Sequence, residues 1–328
     1  MTALVPLEDC LAQALSGQGP VLSEVVPVTA ARGGILAEPL VFPLDTPAQP
    51  EALRVGVAVA ALDLAGASAS LPIPLAHPIR VLSGDQLPPG ADAVLPAVGL
   101  ETLAGGLVAI QTVAPGEGVR RAGHDGRAGA PIAAAGAVMT NHVCHVATMA
   151  GLEVCHLRRP RVRVDLPDPR HQAFIEGFLT ALGGKFVAEA PDLLLRPSDD
   201  AEPRLALAPG DTAWLEREGA MLVLSVPRRF DAVFAACVAL AMPAMAALTG
   251  AKALTETRPL TRKIASGLGL SHLVLLTRQD DAWVPGPAGS VTLAALAAAD
   301  ACAILPPHSE GLPAGAMLAG IPLNFPLG

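Results

Sequence analysis

The sequence predicts a multidomain α/β plus β protein with a mainly parallel α/β domain, an inserted small β domain and a C-terminal β domain. Three observations predict this class. The 328 residues include 32 glycines and 32 prolines, which favours many short elements over a helical bundle. Short Val, Ile and Leu runs cut by Gly and Pro fill residues 55–131, as in a small β domain. Strand-like and helix-like patterns alternate over residues 161–248, which is typical of an α/β layer domain.

The composition argues against one class of protein and indicates a compartment. Lys and Arg number 22 against 30 Asp and Glu, the formal charge is −8, and aromatic residues make up 3% of the chain. An acidic chain with few stacking side chains lacks what a nucleic-acid-binding protein needs. The five cysteines are scattered and form no Cys-x-x-Cys pair, which favours a reducing cytoplasm over a disulfide framework. No basic stretch follows Met1, so we expect no secretory signal.

The N-terminal region is expected to form one helix and then short strands. Leu7, Cys10, Leu11 and Leu15 fall on one helical stripe, which ends at Gly17. Residues 21–43 are strand-like. The inserted β domain that follows contains four predicted strands: Val55–Val59, Ile79–Ser83, Ala93–Val98 and Leu107–Val113.

The α/β region follows a second predicted helix, Met139–Ala150, which Thr140 or Asn141 can cap, and a strand over Glu153–Leu157. After Gly250 the pattern returns to β. The elements predicted from residue 161 onwards are the strands Arg161–Leu166, Lys185–Glu189, Asp192–Leu195, Met221–Val226, His272–Thr277, Ala282–Val284 and Ala303–Leu305, and the helices His171–Leu182, 231–248 and Leu293–Ala298.

The most apolar of these helices is the best candidate for a membrane span. The uncharged stretch Ala232–Leu248 is shorter than the ~20 residues that a spanning helix needs, and Pro243 interrupts it. We therefore predict a buried core helix and no membrane association.

A group of histidines and cysteines could bind a metal ion. His142, Cys144, His145, Cys155 and His156 lie close together in the sequence, with His124 upstream. None of the spacings typical of zinc sites is present, so packed cysteines and surface histidines are the favoured interpretation, and metal binding stays open. Gly267-x-Gly269 lacks a third glycine and precedes its strand, which argues against a dinucleotide site.

Two polar runs and one arginine pair are the strongest candidates for a functional site. Arg228 and Arg229 lie between a buried strand and a helix start, where an α/β sheet binds anions. The run from Arg80 to Val94 includes Ser83-Gly84-Asp85 and Pro88-Pro89-Gly90. The run from Pro115 to Asp125 places Arg120 and Arg121 beside a carboxylate on a glycine-rich loop. Polar loops held by a rigid sheet are a common form of binding site.

These runs closely resemble the molybdopterin molybdenumtransferase family, the MoeA-like proteins that are homologous to a domain of gephyrin. That family carries Thr-Gly-x-x-Leu-Pro-x-Gly-Ala-Asp-Ala-Val and then Arg-Arg-x-Gly-x-Asp. The resemblance extends along nearly the whole chain, for example through Gly34–Leu40 and Glu310–Gly315. It implies an elongated four-domain homodimer, with domain I at 1–48 and 134–158, domain II at 49–133, a molybdopterin-binding-type domain III at 159–250 and domain IV at 251–328.

The sequence departs from that family where the chemistry is expected. The family signature Asp-x-Pro-x-x-Asp-Asn-Ser-Ala-Met-Asp-Gly-Tyr-Ala-Val runs here from Asp45 to Val59, with Val55 in place of the functional carboxylate and Glu51-Ala52 in place of the Asn-Ser pair. A valine cannot bind Mg²⁺. In domain III, Asp165–Pro169 replaces Ser/Thr-Gly-Asp-Glu-Leu, the pterin loop has no counterpart near residues 196–200, and Pro227-Arg228-Arg229 replaces Pro-Gly-Asn-Pro.

The retained positions define the expected site. By the resemblance, Ser83, Arg120 and Asp125 keep the family's catalytic positions, and Arg121 keeps a polar position of the family. We expect Arg121, together with Arg228 and Arg229 from the sheet edge, to bind a ligand; no metal ligand is assigned. The family inserts molybdate as it hydrolyses adenylated molybdopterin. We expect a catalytically impaired or repurposed paralogue, a pseudoenzyme that binds molybdopterin or a related phosphorylated ligand or acts as a partner protein. An active transferase, using Mg²⁺ and molybdate, and a different enzyme or scaffold on the same fold remain alternatives; the sequence alone names no cofactor.

Overall fold

The computed structural model describes residues 4–103, 105–199, 202–252 and 254–323, which form two compact units. Unit 1 contains the described residues of 1–39, 133–145 and 153–328, and unit 2 contains those of 40–132 and 146–152. Asp200, at the end of the stretch 196–200 where the pterin loop has no counterpart, and the last five residues of expected domain IV lie outside the described residues. The expected four-domain division stays a prediction.

The helices lie close to their predicted positions. A π-helical segment, Cys237–Ala241, joins the fourth helix to the fifth. The helices are α1 Leu7–Leu15, α2 Asn141–Met149, α3 Pro169–Ala181, α4 Phe230–Ala236, α5 Met242–Thr249 and α6 Leu293–Ala298.

The strands are short, as the Gly and Pro content predicts. Those before residue 160 are β1 Val5–Pro6, β2 Glu24–Pro27, β3 Ile35–Leu36, β4 Leu40–Val41, β5 Glu51–Ala52, β6 Gly56–Val59, β7 Ile73–Pro74, β8 Ile79–Val81, β9 Ala93–Leu95, β10 Leu100–Leu103, β11 Gly106–Ala109, β12 Val119–Arg120, β13 Pro131–Ala133 and β14 Val154–Arg158. The later ones are β15 Arg161–Val164, β16 Lys185–Phe186, β17 Leu193–Pro197, β18 Leu205–Ala208, β19 Trp214–Glu218, β20 Met221–Val226, β21 Glu256–Pro259, β22 Ile264–Ala265, β23 Ser271–Gln279, β24 Ala282–Pro285, β25 Ala301–Leu305, β26 Gly311–Leu312 and β27 Met317–Pro322.

Unit 2 is built on two small antiparallel sheets, with strand orders β8-β6-β9 and β10-β11-β7. Its core contains Val57, Leu64, Leu95 and Ala109. Strand β6 lies in the middle of the first sheet, and Gly56 opens it against the backbone of β9: a Cβ at Gly56 would lie 2.3 Å from the carbonyl oxygen of Leu95. Only glycine allows the two strands to come this close.

Unit 1 contains the predicted parallel sheet. Its strand order is β16-β15-β17-β20-β19, and every neighbour pair is parallel except β19 with β20. Leu193, Leu195, Leu222 and Leu224 are fully buried within this sheet. Near-continuous burial on both faces is what a parallel sheet covered by helices requires.

The apolar helix is confirmed as a core element. Phe230–Thr249 is long and apolar enough to cross a membrane by length and composition, but 78% of its most apolar stretch is buried inside the fold. The predicted interruption at Pro243 takes the form of the π segment that directly precedes α5. A proline lacks the N–H that an α-helical bond needs, and a π turn accommodates that loss without ending the helix.

The sheet at the C-terminal end is larger than the sequence indicates. Seven strands form it, in the order β1-β18-β23-β25-β27-β21 with β24 paired to β23. The sequence analysis predicted no strand at β1 or β18, yet β18 pairs in parallel with both β1 and β23. Strand β18 consists only of Leu and Ala, so its composition would suit a buried position in either sheet.

Some predicted boundaries were too long. Lys185–Glu189 shortens to Lys185–Phe186, Leu107–Val113 becomes Gly106–Ala109, and Ile79–Ser83 ends at Val81 because a turn begins at Leu82. Helix α3 starts two residues earlier than predicted, because the Asp168 side chain accepts a hydrogen bond from the Arg170 N–H and Pro169 occupies the first turn.

Adding a methyl group at Gly56 should destabilise unit 2. We expect Gly56→Ala to lower the free energy of unfolding by about 2 kcal/mol or more, since the new Cβ cannot avoid the Leu95 carbonyl without moving a central strand. Gly105→Ala, in the same unit with open space around the new Cβ, should change it by less than about 0.5 kcal/mol. Chemical unfolding measures both, and equal effects would contradict the close approach.

Candidate functional site

In unit 2, a single short strand connects the two predicted polar runs. Strand β5 pairs on one side with β12, with Glu51 opposite Arg120. On its other side the Ala52 N–H donates to the Asp85 carbonyl at 2.8 Å, and the Gly84 N–H donates to the Ala52 carbonyl at 2.8 Å. The Ser83–Asp85 turn and the start of the arginine loop therefore flank the same strand.

Asp125 lies at the centre of the arginine loop. Its Oδ2 accepts a hydrogen bond from Arg120 Nη1 at 2.9 Å, and its Oδ1 lies 3.0 Å from His124 Nδ1. All three side chains are between 39% and 66% exposed. The structure thus brings two of the predicted catalytic residues, Arg120 and Asp125, into direct contact, and both oxygens of the carboxylate have basic partners.

Backbone contacts hold this loop in place. The N–H groups of Asp125 and Gly126 donate to the Thr46 carbonyl at 2.9 and 3.2 Å, and Gly123 donates to the Pro47 carbonyl at 2.9 Å. Asp45 Oδ1 accepts from the Ala128 N–H at 2.9 Å. Asp45 and Pro47, which match the family signature in sequence, therefore serve here to anchor the loop.

The other two predicted site residues of unit 2, Ser83 and Arg121, lie on the turn and the loop that flank strand β5. Ser83 is exposed and its hydroxyl donates to the Leu53 carbonyl at 3.2 Å. Arg121 is also exposed, and its guanidinium packs over Gly116, where a Cβ would be 3.0 Å from Nη2. Ser83 is thus tied to the 53–55 turn, while Arg121 faces solvent on the loop.

The 53–55 turn places a charged residue inward and two apolar residues outward. The Arg54 guanidinium donates twice to the Val94 carbonyl, at 2.7 and 3.1 Å, and once to Glu117 Oε1 at 2.9 Å. Leu53 and Val55 are 51% and 62% exposed. At the position where the resemblance leads us to expect a metal-binding carboxylate, the surface is therefore aliphatic.

The carboxyl ends of the parallel strands in unit 1 border a cavity of about 880 Å³. The loops that follow β15, β17 and β20 each contribute to it, as expected for ligand sites in open α/β sheets. The polar side chains that line it are Asp168, Arg170, His171, Ser198, Asp199 and Arg228.

Asp168 organises one side of this cavity. It caps α3, and its carboxylate also accepts from the Arg170 guanidinium at 2.7 and 3.1 Å, with His171 Nδ1 4.0 Å away. The hydrogen bonds from the Arg170 side chain, followed by that from its backbone N–H, hold the pKa of Asp168 well below its usual range. Asp168 therefore stays ionised and keeps Arg170 and His171 at the cavity.

The two arginines that follow β20 separate. Arg228 lines the cavity, whereas Arg229 turns to Asp231, whose buried carboxylate it contacts through both Nε and Nη2. Of this predicted pair, the structure places only Arg228 beside the sheet edge.

An apolar cleft of about 500 Å³ adjoins the polar cavity and shares Asp168, Arg170, His171 and Arg228 with it. Three aromatic rings line it, Phe174, Phe230 and Phe234, and the centroids of Phe174 and Phe234 are 6.3 Å apart. Planar rings bind well in such a cleft. Together the two cavities can take a ligand that has an anionic group and a flat ring.

Sequence reasoning missed Arg170, His171 and the three phenylalanines as site residues. The available signal was the Asp168-Pro169 pair, a typical helix start that directly follows a buried strand. This helix start would have placed Arg170 and His171 at the carboxyl edge of the parallel sheet.

The structure separates the histidines and cysteines that the sequence places close together. Among the described residues, no three His, Cys, Asp or Glu side chains converge as metal ligands would. His142 contacts the Thr140 hydroxyl at 3.1 Å, and Cys155 is 2% exposed. Burial raises the pKa of Cys144 and Cys155, and it raises the pKa of Cys237 and Cys302 to about 12.

A sequence-family model matches the N-terminal part of the chain, less than half of its length. Residues 5–152 match the family described as the MoeA N-terminal region (domain I and II). A molybdopterin molybdenumtransferase 2 is found in two strains of Mycobacterium tuberculosis, CDC 1551 / Oshkosh and ATCC 25618 / H37Rv, and is 34% identical to this chain over 161 residues. That match covers 42% of this chain and spans only 39% of the length of those curated relatives.

Solved structures match the whole fold. Two crystal structures of a molybdopterin biosynthesis MoeA protein from Pyrococcus horikoshii have TM-scores of 0.69 and 0.71 at 20% and 19% identity, and each match covers 97% of this chain and 99% of the other. A molybdenum cofactor biosynthesis protein from Pyrococcus furiosus has a TM-score of 0.61 at 16% identity, over 97% of this chain and 98% of its own. At these identities the likeness establishes the fold, in agreement with the predicted architecture.

The burial of the thiols predicts their reactivity. At pH 8 we expect a thiol reagent to modify Cys144, which is half-buried, before any other cysteine, and to leave Cys237 and Cys302 unmodified, since a pKa of about 12 keeps them protonated. All five should react in guanidinium chloride. Mass spectrometry identifies the sites, Cys144→Ser removes the first phase, and rapid native modification of Cys237 would contradict the packing.

The charge of Asp168 predicts a pH-dependent stability. Because its pKa is lowered on folding, the stabilisation is present above the unfolded pKa near ~4 and is lost as the pH falls further. Asp168→Asn, which keeps a capping group, should lower the Tm by about 1–3 °C at pH 7 and by less at pH 3. Asp280→Asn, in an exposed turn, serves as the control. A difference that grows on acidification would contradict this assignment.

Proposed function

We propose that this chain, which is a MoeA-like protein, acts in molybdenum cofactor biosynthesis by binding a phosphorylated pterin such as molybdopterin, without the metal-dependent chemistry expected of a molybdenumtransferase. The observation that carries the proposal is the sheet-edge site of unit 1. There, Arg170, His171 and Arg228 line a cavity that continues into a cleft walled by phenylalanines.

The chemistry of that site supports an anionic ligand with a ring. Guanidinium groups recognise phosphate through several parallel hydrogen bonds, and the rings of Phe174, Phe230 and Phe234 offer a surface on which a pterin can stack. The site is not uniformly basic, because Asp168 and Asp199 also line it. Those carboxylates can accept hydrogen bonds from the amino and ring N–H groups of a pterin.

The residues of unit 2 do not fit a Mg²⁺ site. Magnesium prefers carboxylate and water oxygens in near-octahedral geometry. Here Val55 is aliphatic, both oxygens of Asp125 lie beside basic groups, and Asp45 accepts a backbone hydrogen bond. Binding a divalent ion at Asp125 would require breaking its contacts with Arg120 and His124. This supports a pseudoenzyme, and no catalytic step is assigned through a metal.

An active transferase is the second candidate function. It is favoured by one observation: Arg120 and Asp125 are retained and lie in contact on an exposed, well-anchored loop, with Ser83 on a turn that pairs with the same strand. In that case Mg²⁺ would be the cofactor and molybdate the substrate. We also propose a homodimer in the cytoplasm, from the resemblance and from the scattered cysteines.

Ligand binding tests the proposal. Anaerobic calorimetry with molybdopterin should give saturable binding, and Arg170→Ala combined with Arg228→Ala should weaken it by at least about tenfold, because two charge-assisted contacts are lost. Lys263→Ala, an exposed cation outside both cavities, should leave the Kd unchanged. Absence of binding, or equal affinity in the double variant, would overturn the proposed site.

Turnover separates the two candidate functions. With adenylated molybdopterin, molybdate and Mg²⁺, we expect no hydrolysis above that of an Asp125→Ala variant. Hydrolysis that needs Mg²⁺ and disappears in Asp125→Ala would establish the transferase and reject the pseudoenzyme.

A further inference from the structure

Unit 1 has a third cavity, on the opposite end of the apolar helix from the sheet-edge site. Its volume is about 330 Å³. Helix α5 forms one wall through Met242, Ala246 and Thr249, and the opposite walls come from Ile35, Leu182 and Ile321. The proposed function assigns it no role.

The walls of this cavity are almost entirely apolar. Its deep surface includes Ile35 and Met245, which are 2% and 1% exposed. The one buried hydroxyl, that of Thr249, is already satisfied, since it donates to the Met245 carbonyl at 2.6 Å and accepts from the Ala251 N–H at 3.2 Å. A cavity without unsatisfied polar atoms does not hold water well and favours an apolar occupant.

The charge at the mouth of the cavity is positive. Lys252 is exposed and is the charged residue among the described residues that line it, which include no Asp or Glu. Arg158 adds a second cation nearby, where its Nη1 donates to the Thr249 carbonyl at 3.2 Å. In a chain of formal charge −8, an apolar cavity with a cationic rim is complementary to an amphipathic anion.

The helix that forms the wall carries a local irregularity at this cavity. Val238, within the π segment Cys237–Ala241, lines it together with Pro243. Single π turns in otherwise α-helical segments occur frequently at functional sites, because they redirect side chains that a regular helix would turn away.

We propose that this cavity binds an aliphatic carboxylate, with the hydrocarbon chain inside and the carboxylate at Lys252. The volume of the cavity sets the length of the ligand's hydrocarbon chain. At roughly 30 Å³ for each water-sized group, 330 Å³ holds about eleven non-hydrogen atoms. A ten-carbon monocarboxylate therefore fills the cavity and leaves its head group at the rim.

Calorimetry with decanoate, below its micellar concentration, tests the proposal on the full chain. A ligand of this size that buries its hydrocarbon is expected to bind with a Kd on the order of 100 µM. Decanol, which has the same chain without the charge, should bind several-fold more weakly. No saturable heat up to 5 mM (roughly fiftyfold above the expected Kd) would overturn the proposal.

Two variants distinguish the contact of the ligand's hydrocarbon with the cavity from the contact of its carboxylate with Lys252. Ala246→Trp fills the cavity from a half-buried position and should weaken decanoate binding at least tenfold. Lys252→Glu should weaken decanoate several-fold while leaving decanol unchanged, and Lys263→Glu, outside the cavity, should change neither. Equal loss of decanoate and decanol in Lys252→Glu, or unaltered binding in Ala246→Trp, would reject this site.

The methionines give an independent readout that shows where the ligand binds. With ¹³C-methyl methionine, the resonances of Met242 and Met245, which line the cavity, should shift on addition of decanoate. The resonance of Met221, at the start of β20, should stay in place. Shifts at Met221 with none at Met242 and Met245 would place the ligand elsewhere and overturn the assignment.

Discussion

Burial of the apolar helix Phe230–Thr249 is the interaction on which unit 1 depends. Every residue from Ala232 to Ala241 is less than 9% exposed, and each buried Val, Leu or Phe side chain contributes about 1.5–3 kcal/mol. The helix also borders both proposed ligand sites of the unit. Phe230, Val233 and Phe234 at its start wall the ring cleft, while Met242, Ala246 and Thr249 at its end wall the apolar cavity. The packing of the unit and both proposed sites therefore depend on the same helix.

In unit 2, main-chain contacts position the loops, while the side chains on these loops differ from the pattern of the family that the sequence resembles. The backbone contacts of Thr46 and Pro47 with the arginine loop, and of Ala52 with the Ser83–Asp85 turn, depend on main-chain geometry. The side chains on these loops are engaged with one another: Asp125 with Arg120 and His124, and Arg54 with Glu117. The charges of these side chains are therefore largely compensated within unit 2.

The sequence predicted much of the fold and part of the candidate site. Strand β20 and helix α6 have the bounds that were predicted, because each lies between Gly, Pro or capping residues, and helix α1 lies within the predicted helical stretch. The contact of Arg120 with Asp125 could also have been predicted from the sequence, because the two residues are five positions apart on one glycine-rich loop. The separation of Arg228 from Arg229 was not, because it depends on the buried carboxylate of Asp231.

By itself, the sequence determined much of the local structure, the acidic character, the family resemblance and the valine at position 55, where that resemblance leads us to expect a carboxylate. Only the tertiary structure decided which sheet β18 joins, that Arg54 turns inward while Val55 faces solvent, and that two cavities open at the ends of one helix. The physical reason is the separation along the sequence over which each kind of interaction acts. Periodicity and capping act between residues a few positions apart, whereas strand partners, buried charges and cavities arise where distant segments pack together.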